Sequence, residues 1–235
     1  MPPTRPIRAA NRLILGLPAA DRRRLLESCV PVDLAFGELL ADAGAPIRHV
    51  YFPTGSFVSL LSPAEPSARI EVGLVGNEGM VGVSLALGAS DSPVRALVQG
   101  RGGAWRIDAR NFRRQLARSP ALQKQLNRYA YVMMVQLAQT AACNRFHRVD
   151  ARLARWLLMT HDRAASKRFY LTHEFLAEML GVRRVGVTNA ATALQRRELI
   201  RYSRGDITIL NRRGLEAASC GCYRVVQDAF NRVLG

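Results

Sequence analysis

The order of hydrophobic and polar positions gives the first part of the chain two different patterns. Residues 11–28 carry leucines at helical spacing on both sides of Pro18, which predicts two short helices. Short apolar runs punctuated by glycine and proline then follow, and later examples of them are residues 70–75, 94–98 and 104–107. Strands this short and this frequent predict a small antiparallel barrel or sandwich.

A long helix is predicted over residues 120–146, which contain no glycine and no second proline after Pro120. One seam of this helix, with steps of three or four residues, consists of Leu122, Leu126, Tyr129, Met133, Gln136, Thr140 and Cys143. Further apolar side chains lie off the seam, so we expect the barrel on one side and a partner's copy on the other. We assign dimerisation to Leu122, Leu126, Tyr129, Met133, Gln136 and Thr140. The alternative is a helix buried within a single chain.

The C-terminal part shows two short helical patterns joined by a glycine. Thr172 is a good N-cap for the first helix, Gly181 ends it, and the second helix ends near Arg197. Small residues at Ala177 and Gly181 would let the two helices cross tightly. The inner face of the second helix consists of Val187, Ala190, Ala191 and Leu194, and the outer face of Arg184, Val185, Thr188, Asn189 and Thr192.

That outer face is typical of a helix that enters a DNA major groove. Small side chains permit close approach, an arginine can bind a guanine edge, and an asparagine can bind an adenine edge. A strand, a turn at Arg204-Gly205-Asp206 and a second strand follow, which predicts a wing. The candidate DNA contacts are Thr172, Arg183, Arg184, Val185, Thr188, Asn189, Thr192, Arg201, Ser203 and Arg204. A solvated surface hairpin is the alternative for the wing.

Residues 171–210 resemble the winged helix-turn-helix of the Crp/Fnr superfamily of bacterial transcription regulators, most specifically in "LTHEFLAEMLGVRRVGVTNAATALQRRELI". The order barrel, long helix, winged helix extends the resemblance over nearly the full chain. It implies an α+β fold with an antiparallel barrel or jelly roll, like a cyclic-nucleotide-binding domain, over residues 1–118. A dimerisation helix over 119–146 and a winged helix-turn-helix domain over 147–235 follow. It also implies a homodimer on a palindromic operator and an effector in the barrel.

Two positions depart from the family pattern. At the start of the reading helix the family's Ser, Arg and Glu positions hold Arg183, Arg184 and Val185, so the guanine-reading arginine is kept as Arg184 and the glutamate is replaced by Val185. Val185 can contact only a thymine methyl, so a different operator is expected. In the barrel, Gly82-Val83 and Ser92-Pro93 stand where the resemblance implies Gly-Glu and Arg-Ser/Thr for a cyclic nucleotide. The effector is therefore unknown and not expected to be cyclic AMP, and a shifted pocket would use Glu78 and Arg95.

The charge favours a nucleic-acid partner. The net charge is +16, and Lys124 and Lys167 are the only lysines. Residues 1–145 carry 18 basic and 10 acidic residues, and residues 146–235 carry 16 and 8, so the shorter part is the more basic in proportion. Arginine binds phosphate as a planar fork. A codon bias toward Arg and Ala is the alternative source of the excess.

Other signals in the sequence are weak. "HEFLA" at His173 lacks the second histidine of a zinc-protease motif, and the four histidines show no spacing typical of a catalytic triad. Cys220 and Cys222 form a candidate redox or metal pair, but no third or fourth ligand lies near them in the sequence, so ordinary thiols and no metal site are expected. The N-terminal apolar run is too short for a signal peptide or a membrane span.

We therefore predict a cytoplasmic, homodimeric, sequence-specific DNA-binding regulator with no evident cofactor, with RNA polymerase as a further partner and without a membrane. An effector-binding sensor whose C-terminal domain docks on protein or RNA is the alternative, and an enzyme is the third and least favoured reading. The outer face of residues 184–192 separates the first two, because a protein-docking face should carry large apolar anchors.

Overall fold

The chain folds into a two-sheet domain, a long central helix and a C-terminal domain of helices around a small sheet. The computed structural model describes residues 11–65, 68–164 and 168–235. The first ten residues of the segment considered for a targeting signal lie outside the described residues. The helices are α1 (Arg12–Leu15), α2 (Ala19–Glu27), α3 (Ala109–Arg118), α4 (Pro120–Phe146), α5 (Val149–Arg163), α6 (His173–Leu180), α7 (Arg184–Arg196), α8 (Arg212–Ala218) and α9 (Cys222–Leu234). The strands are β1 (Val30–Leu34), β2 (Leu39–Ala41), β3 (His49–Pro53), β4 (Phe57–Glu65), β5 (Ala68–Val75), β6 (Arg95–Gly100), β7 (Gly102–Asp108), β8 (Arg168–Tyr170), β9 (Ile200–Ser203) and β10 (Asp206–Ile209).

The N-terminal strands form two antiparallel sheets around one core, which confirms the predicted fold class. The first sheet has the order β1-β7-β3 and the second the order β2-β6-β4-β5. Val50 and Phe52 of β3 and Val58 and Val98 of the second sheet are each fully buried in the same cluster. Alternate side chains of each strand point to one face of its sheet, so the two sheets enclose a shared interior.

Helix α4 has the predicted bounds, because Ser119 caps it and Pro120 occupies the first turn. The Ser119 hydroxyl oxygen accepts a hydrogen bond from the Leu122 backbone N–H at 3.0 Å. The Tyr129 hydroxyl donates to the Met80 carbonyl at 3.1 Å, and the Gln136 amide is paired with the backbone of Leu74. The predicted seam thus faces the chain's own barrel.

This packing corrects the assignment of the dimer contacts. The six residues assigned to dimerisation are all buried inside a single chain, namely Leu122, Leu126, Tyr129, Met133, Gln136 and Thr140. A side chain that its own chain already covers, by the barrel or, for Thr140, by Arg155 of α5, has little surface left for a partner. Helical spacing shows that a face is buried but not which element covers it.

The opposite face of α4 is solvent-exposed and follows a heptad pattern of its own. Its residues are Lys124, Asn127, Tyr131, Met134, Ala138, Ala141 and Arg145, at alternating steps of three and four. Tyr131 and Met134 are 48% and 68% exposed, and the adjacent Leu137 is 40% exposed. Four consecutive apolar positions of a heptad seam are therefore uncovered in the single chain.

The two residues of the hypothetical shifted pocket, Glu78 and Arg95, have different ion-pair partners. Glu78 is buried and forms an ion pair with Arg163 of α5, with Nη2 and Oε1 2.6 Å apart. Arg95 donates from Nε and Nη2 to the two carboxylate oxygens of Asp42, each at 2.9 Å. A shifted pocket using both side chains would therefore have to break two separate ion pairs, one with Arg163 and one with Asp42.

The last helix returns to the middle of the molecule. Val226 and Phe230 of α9 are buried in the barrel core, and α9 packs along α4. The predicted division at residue 147 assigns α9 to the C-terminal domain, although α9 packs on the barrel and on α4.

Candidate nucleic-acid interface

The interface begins with two helices joined by a glycine turn. The Thr172 hydroxyl oxygen accepts from the Phe175 backbone N–H at 3.1 Å and caps α6, as predicted. Gly181 ends α6 with a φ of +60°. A Cβ at this position would also lie 2.6 Å from the Ile70 side chain of β5. The left-handed backbone is the reason for glycine here, because the atom that a Cβ would meet is the flexible end of the Ile70 side chain.

Helix α7 presents its faces as predicted. Val187, Ala190, Ala191 and Leu194 are buried in the core of the C-terminal domain. The outer residues Arg184, Val185, Thr188, Asn189 and Thr192 are exposed. A helix with a small, polar outer face and an arginine at its N-terminal end can lie in a major groove.

Hydrogen bonds within α7 show which outer side chains are free to donate. The Thr188 hydroxyl donates to the Arg184 carbonyl at 3.1 Å, and the Thr192 hydroxyl donates to the Thr188 carbonyl at 2.9 Å. These threonines therefore offer a methyl group and an acceptor oxygen. The donors that remain on this face are the Arg184 guanidinium and the Asn189 amide, which can pair with guanine and adenine edges.

The wing is the hairpin of β9 and β10, which is joined to β8 in a three-stranded sheet. Arg204 and Gly205 have φ values of +50° and +91°, so they form the turn, and Asp206 is the first residue of β10 rather than a turn residue. Arg168 pairs with both carboxylate oxygens of Asp206, at 3.1 and 3.0 Å, and this contact lowers the pKa of Asp206.

The basic side chains of the interface are uncompensated. Arg201, Ser203 and Arg204 on the wing are exposed, as are Arg183 and Arg184 at the start of α7. Within the described residues no carboxylate forms a salt bridge with any of these four arginines. Unpaired guanidinium groups on a helix end and a wing can bind a phosphate backbone.

His173 joins the reading helix to the wing, a role that its sequence did not reveal. Its ring stacks on the Tyr202 ring with centroids 4.3 Å apart, and its Nδ1 lies 3.0 Å from the Thr188 hydroxyl. This distance is that of a hydrogen bond. Burial first, and the nearby Arg184 second, lower the pKa of His173, so the ring is neutral at neutral pH. The contacts join residues 15 and 29 positions apart, which no local motif predicts.

Replacing His173 by Ala is expected to reduce the free energy of unfolding by about 1–3 kcal/mol, through one lost hydrogen bond and one lost ring stack. Because the reading helix and the wing lose the side chain that contacts both of them, affinity for specific and non-specific DNA should fall together. Thermal unfolding and gel shift measure the two effects. His49→Ala in β3, which removes a ring contact with Tyr51 at 6.2 Å, is the matched control and should leave DNA binding unchanged. A change of base preference in His173→Ala would contradict a purely positioning role.

A second cluster of polar side chains lies where α4 ends. Cys143 of α4 and His147, the residue that follows α4, meet Cys220 before α9 and Cys222 at its first position, and their ligand atoms all lie within 4.8 Å of one another. The expectation that Cys220 and Cys222 have no third or fourth ligand nearby is therefore wrong. Folding brings together residues that are more than 70 positions apart.

Comparisons with known proteins agree with the geometry. Residues 151–218 match the Crp-like helix-turn-helix domain family. The fold is similar to that of FixK2 from Bradyrhizobium japonicum, at 13% identity and a TM-score of 0.69, covering 82% of this chain and 98% of that one. It is also similar to a putative Crp/Fnr-family regulator from Eubacterium rectale, at 18% identity and a TM-score of 0.67, covering 88% and 96%.

A further similar structure is the c-di-GMP-responsive regulator CLP from Xanthomonas campestris, at 15% identity and a TM-score of 0.65, covering 82% of this chain and 99% of that one. A search of curated proteins gives no significant match. Among the described residues, no helix combines the length and the hydropathy that crossing a bilayer requires.

Proposed function

We propose that this chain, which has the fold of the Crp/Fnr transcription regulators and carries a Crp-like helix-turn-helix domain, binds a palindromic DNA operator as a homodimer. The observation that carries the proposal is the outer face of α7. It is small, exposed and tipped by an unpaired arginine, and Arg184 and Asn189 are its free donors. A surface that docks on protein would present large apolar anchors there instead.

The wing completes the DNA contact. Arg201, Ser203 and Arg204 lie on the hairpin that follows α7, where they would contact phosphates and fix the orientation of the reading helix. Thr172 and Arg183 stand at the N-terminal ends of α6 and α7, where backbone N–H groups also favour an anion. We assign these five residues to positioning, and Arg184, Val185, Thr188, Asn189 and Thr192 to the bases.

The second copy is proposed to pair along the exposed heptad face of α4. Tyr131, Met134, Ala138 and Ala141 supply consecutive apolar positions with the spacing of a coiled-coil seam. Two copies related by a twofold axis bury the same face on both chains. Such a dimer presents two α7 helices in opposite orientations, which is why a palindromic operator follows.

The effector is proposed not to be cyclic AMP. The positions that would hold its ribose and phosphate carry Gly82-Val83 and Ser92-Pro93. The nearest carboxylate and guanidinium, Glu78 and Arg95, are occupied by Arg163 and Asp42. We place the regulator in the bacterial cytoplasm, where its DNA target lies, with RNA polymerase as a further partner and no enzymatic activity.

Selection from a random DNA library, followed by gel shift over a salt series, tests the function. We expect a palindromic motif. The logarithm of the association constant should fall linearly with the logarithm of the salt concentration, with a slope of about −0.9 for each phosphate contact. Arg204→Ala should weaken all sequences alike and reduce the slope by about one, whereas Arg224→Ala, an exposed arginine on α9, should change neither. An asymmetric motif, or none, would reject the dimeric regulator in favour of docking on protein or RNA.

A further inference from the structure

Four side chains of metal-binding type converge at the end of α4, and the DNA-binding function uses none of them. The Cys143 and Cys220 sulfurs are 3.4 Å apart, and the Cys222 sulfur lies 3.6 Å from Nδ1 of His147. All four ligand atoms lie within 4.8 Å of one another. We propose that Cys143, His147, Cys220 and Cys222 bind one divalent transition-metal ion, and that this ion is zinc.

The distances have the scale of a single tetrahedral ion. Zinc–sulfur bonds of about 2.3 Å and zinc–nitrogen bonds of about 2.0–2.1 Å place two sulfurs about 3.8 Å apart and a sulfur and a nitrogen about 3.5 Å apart. Two of the pairs are already near these edges, with Cys143 and Cys220 at 3.4 Å and Cys222 and His147 at 3.6 Å. Since no pair exceeds 4.8 Å, small side-chain rotations complete the tetrahedron.

The ligand types select the metal. Thiolates and an imidazole suit zinc and exclude the hard cations calcium and magnesium, which prefer oxygen. Three cysteines and one histidine fill all four tetrahedral positions, which is the arrangement of a structural rather than a catalytic zinc site. A disulfide between Cys143 and Cys220 would use only two of the four groups and would not explain why His147 lies beside Cys222.

The fold holds the ligands on two rigid segments. Cys143 and His147 are four residues apart, one helical turn, and the His147 backbone N–H donates to the Cys143 carbonyl at 3.2 Å. Cys220 and Cys222 flank Gly221 at the start of α9. The three sulfurs are buried, whereas His147 is exposed, so an ion would enter from the histidine side.

Two buried arginines supply charge beside the site. Three thiolates, one neutral imidazole and Zn²⁺ carry one net negative charge. Arg152 and Arg155 of α5 are each 7% exposed and line a small cavity together with Cys143. The Nε–H group of each has no hydrogen-bond acceptor among the described residues. Charged outer groups of this kind stabilise anionic metal centres and orient their ligands.

The ion would fasten α9 to α4. Val226 and Phe230 of α9 belong to the barrel core. The site therefore lies where the chain returns from the DNA-binding domain to the barrel. Arg152 also donates to Asn144 of α4 and to the carbonyl of Leu180, the last residue of α6. The cluster thus adjoins the contacts that hold the first helix of the helix-turn-helix.

Metal analysis of the full chain, purified without chelator or a metal-affinity column, tests the proposal. We expect about one zinc per chain. Titration of the reduced apoprotein with cobalt should saturate at one equivalent, with a thiolate-to-cobalt charge-transfer band and the strong visible bands of tetrahedral cobalt. His147→Ala and Cys222→Ser should weaken cobalt binding at least about tenfold, since even the loss of an outer-shell partner costs 10–100-fold.

Cys29→Ala is the matched control, because Cys29 is a buried cysteine of the barrel core outside the cluster. It should keep full stoichiometry. His147→Ala keeps the test valid if the cysteine variants do not fold. The His147 side chain is exposed, so replacing it removes no core packing. A wild-type chain without zinc and without the cobalt bands would overturn the proposal. A Cys143–Cys220 disulfide in freshly purified protein, or iron with acid-labile sulfide, would also overturn it. So would His147→Ala and Cys222→Ser variants that bind metal as tightly as the wild type.

Discussion

Replacing Arg184 by Ala is expected to weaken operator binding by about 1–3 kcal/mol in each half-site and to relax discrimination at one base pair of each. The dimer contains the change twice, so the loss reaches about 2–6 kcal/mol, or roughly 30-fold to more than 10⁴-fold. The physical reason is that Arg184 is exposed at the first turn of α7 and has no salt-bridge partner among the described residues. Its guanidinium is therefore available to pair with a guanine edge.

Gel shift with the selected operator and with single-base variants measures both effects. Arg110→Ala removes another exposed arginine, from α3 in the N-terminal domain, and controls for the loss of charge. Arg204→Ala controls for a phosphate contact, because it should lower affinity without altering base preference. If Arg184→Ala weakened all operators equally, Arg184 would be a phosphate contact and base reading would rest on Asn189 and its neighbours.

Val185 should make the operator differ from one read by a carboxylate. It is 63% exposed directly beside Arg184, so its methyl groups reach the same groove surface. An apolar side chain cannot accept a hydrogen bond from cytosine, but it can contact a thymine methyl. The structure shows that this residue, whose departure from the family pattern is visible in the sequence, is exposed on α7 beside Arg184.

The local features of the DNA-binding domain were predictable because short-range rules determine them. A serine cap and a proline in the first turn determine where the neighbouring helix α4 starts, and a threonine cap and a final glycine determine both ends of α6. The 3.6-residue period separated Val187 and Leu194 from Arg184 and Asn189 on α7.

The features that the sequence did not reveal depend on contacts between distant segments. Both faces of α4 have heptad spacing, and only the position of the barrel shows that Tyr129 faces inward while Met134 faces outward. Glu78 and Arg95 lie in the same part of the sequence, yet Glu78 forms an ion pair with Arg163 and Arg95 forms one with Asp42. The cysteine and histidine cluster needs α9 to fold back on α4, and this return leaves no local signal beyond the paired spacings Cys-x3-His and Cys-x-Cys.

Replacing Met134 by Glu is expected to separate the dimer and abolish operator binding at concentrations that saturate the wild type. Burying a methionine contributes about 1.5–3 kcal/mol, and the twofold axis doubles this to about 3–6 kcal/mol. The substitution also places like charges opposite each other across a seam formed by Tyr131, Met134, Ala138 and Ala141, and a buried unpaired carboxylate is costly. The dimer dissociation constant should therefore rise by at least about 100-fold to 10⁴-fold.

Sedimentation equilibrium and gel shift together test the pairing face. Phe36→Glu is the matched control, because it makes the same kind of change at a side chain that is 62% exposed, compared with 68% for Met134, but that lies between β1 and β2. It should remain dimeric. Met134→Leu should also remain dimeric, since it keeps the apolar volume. A dimeric Met134→Glu with normal operator affinity would place the interface away from the face formed by Tyr131, Met134, Ala138 and Ala141.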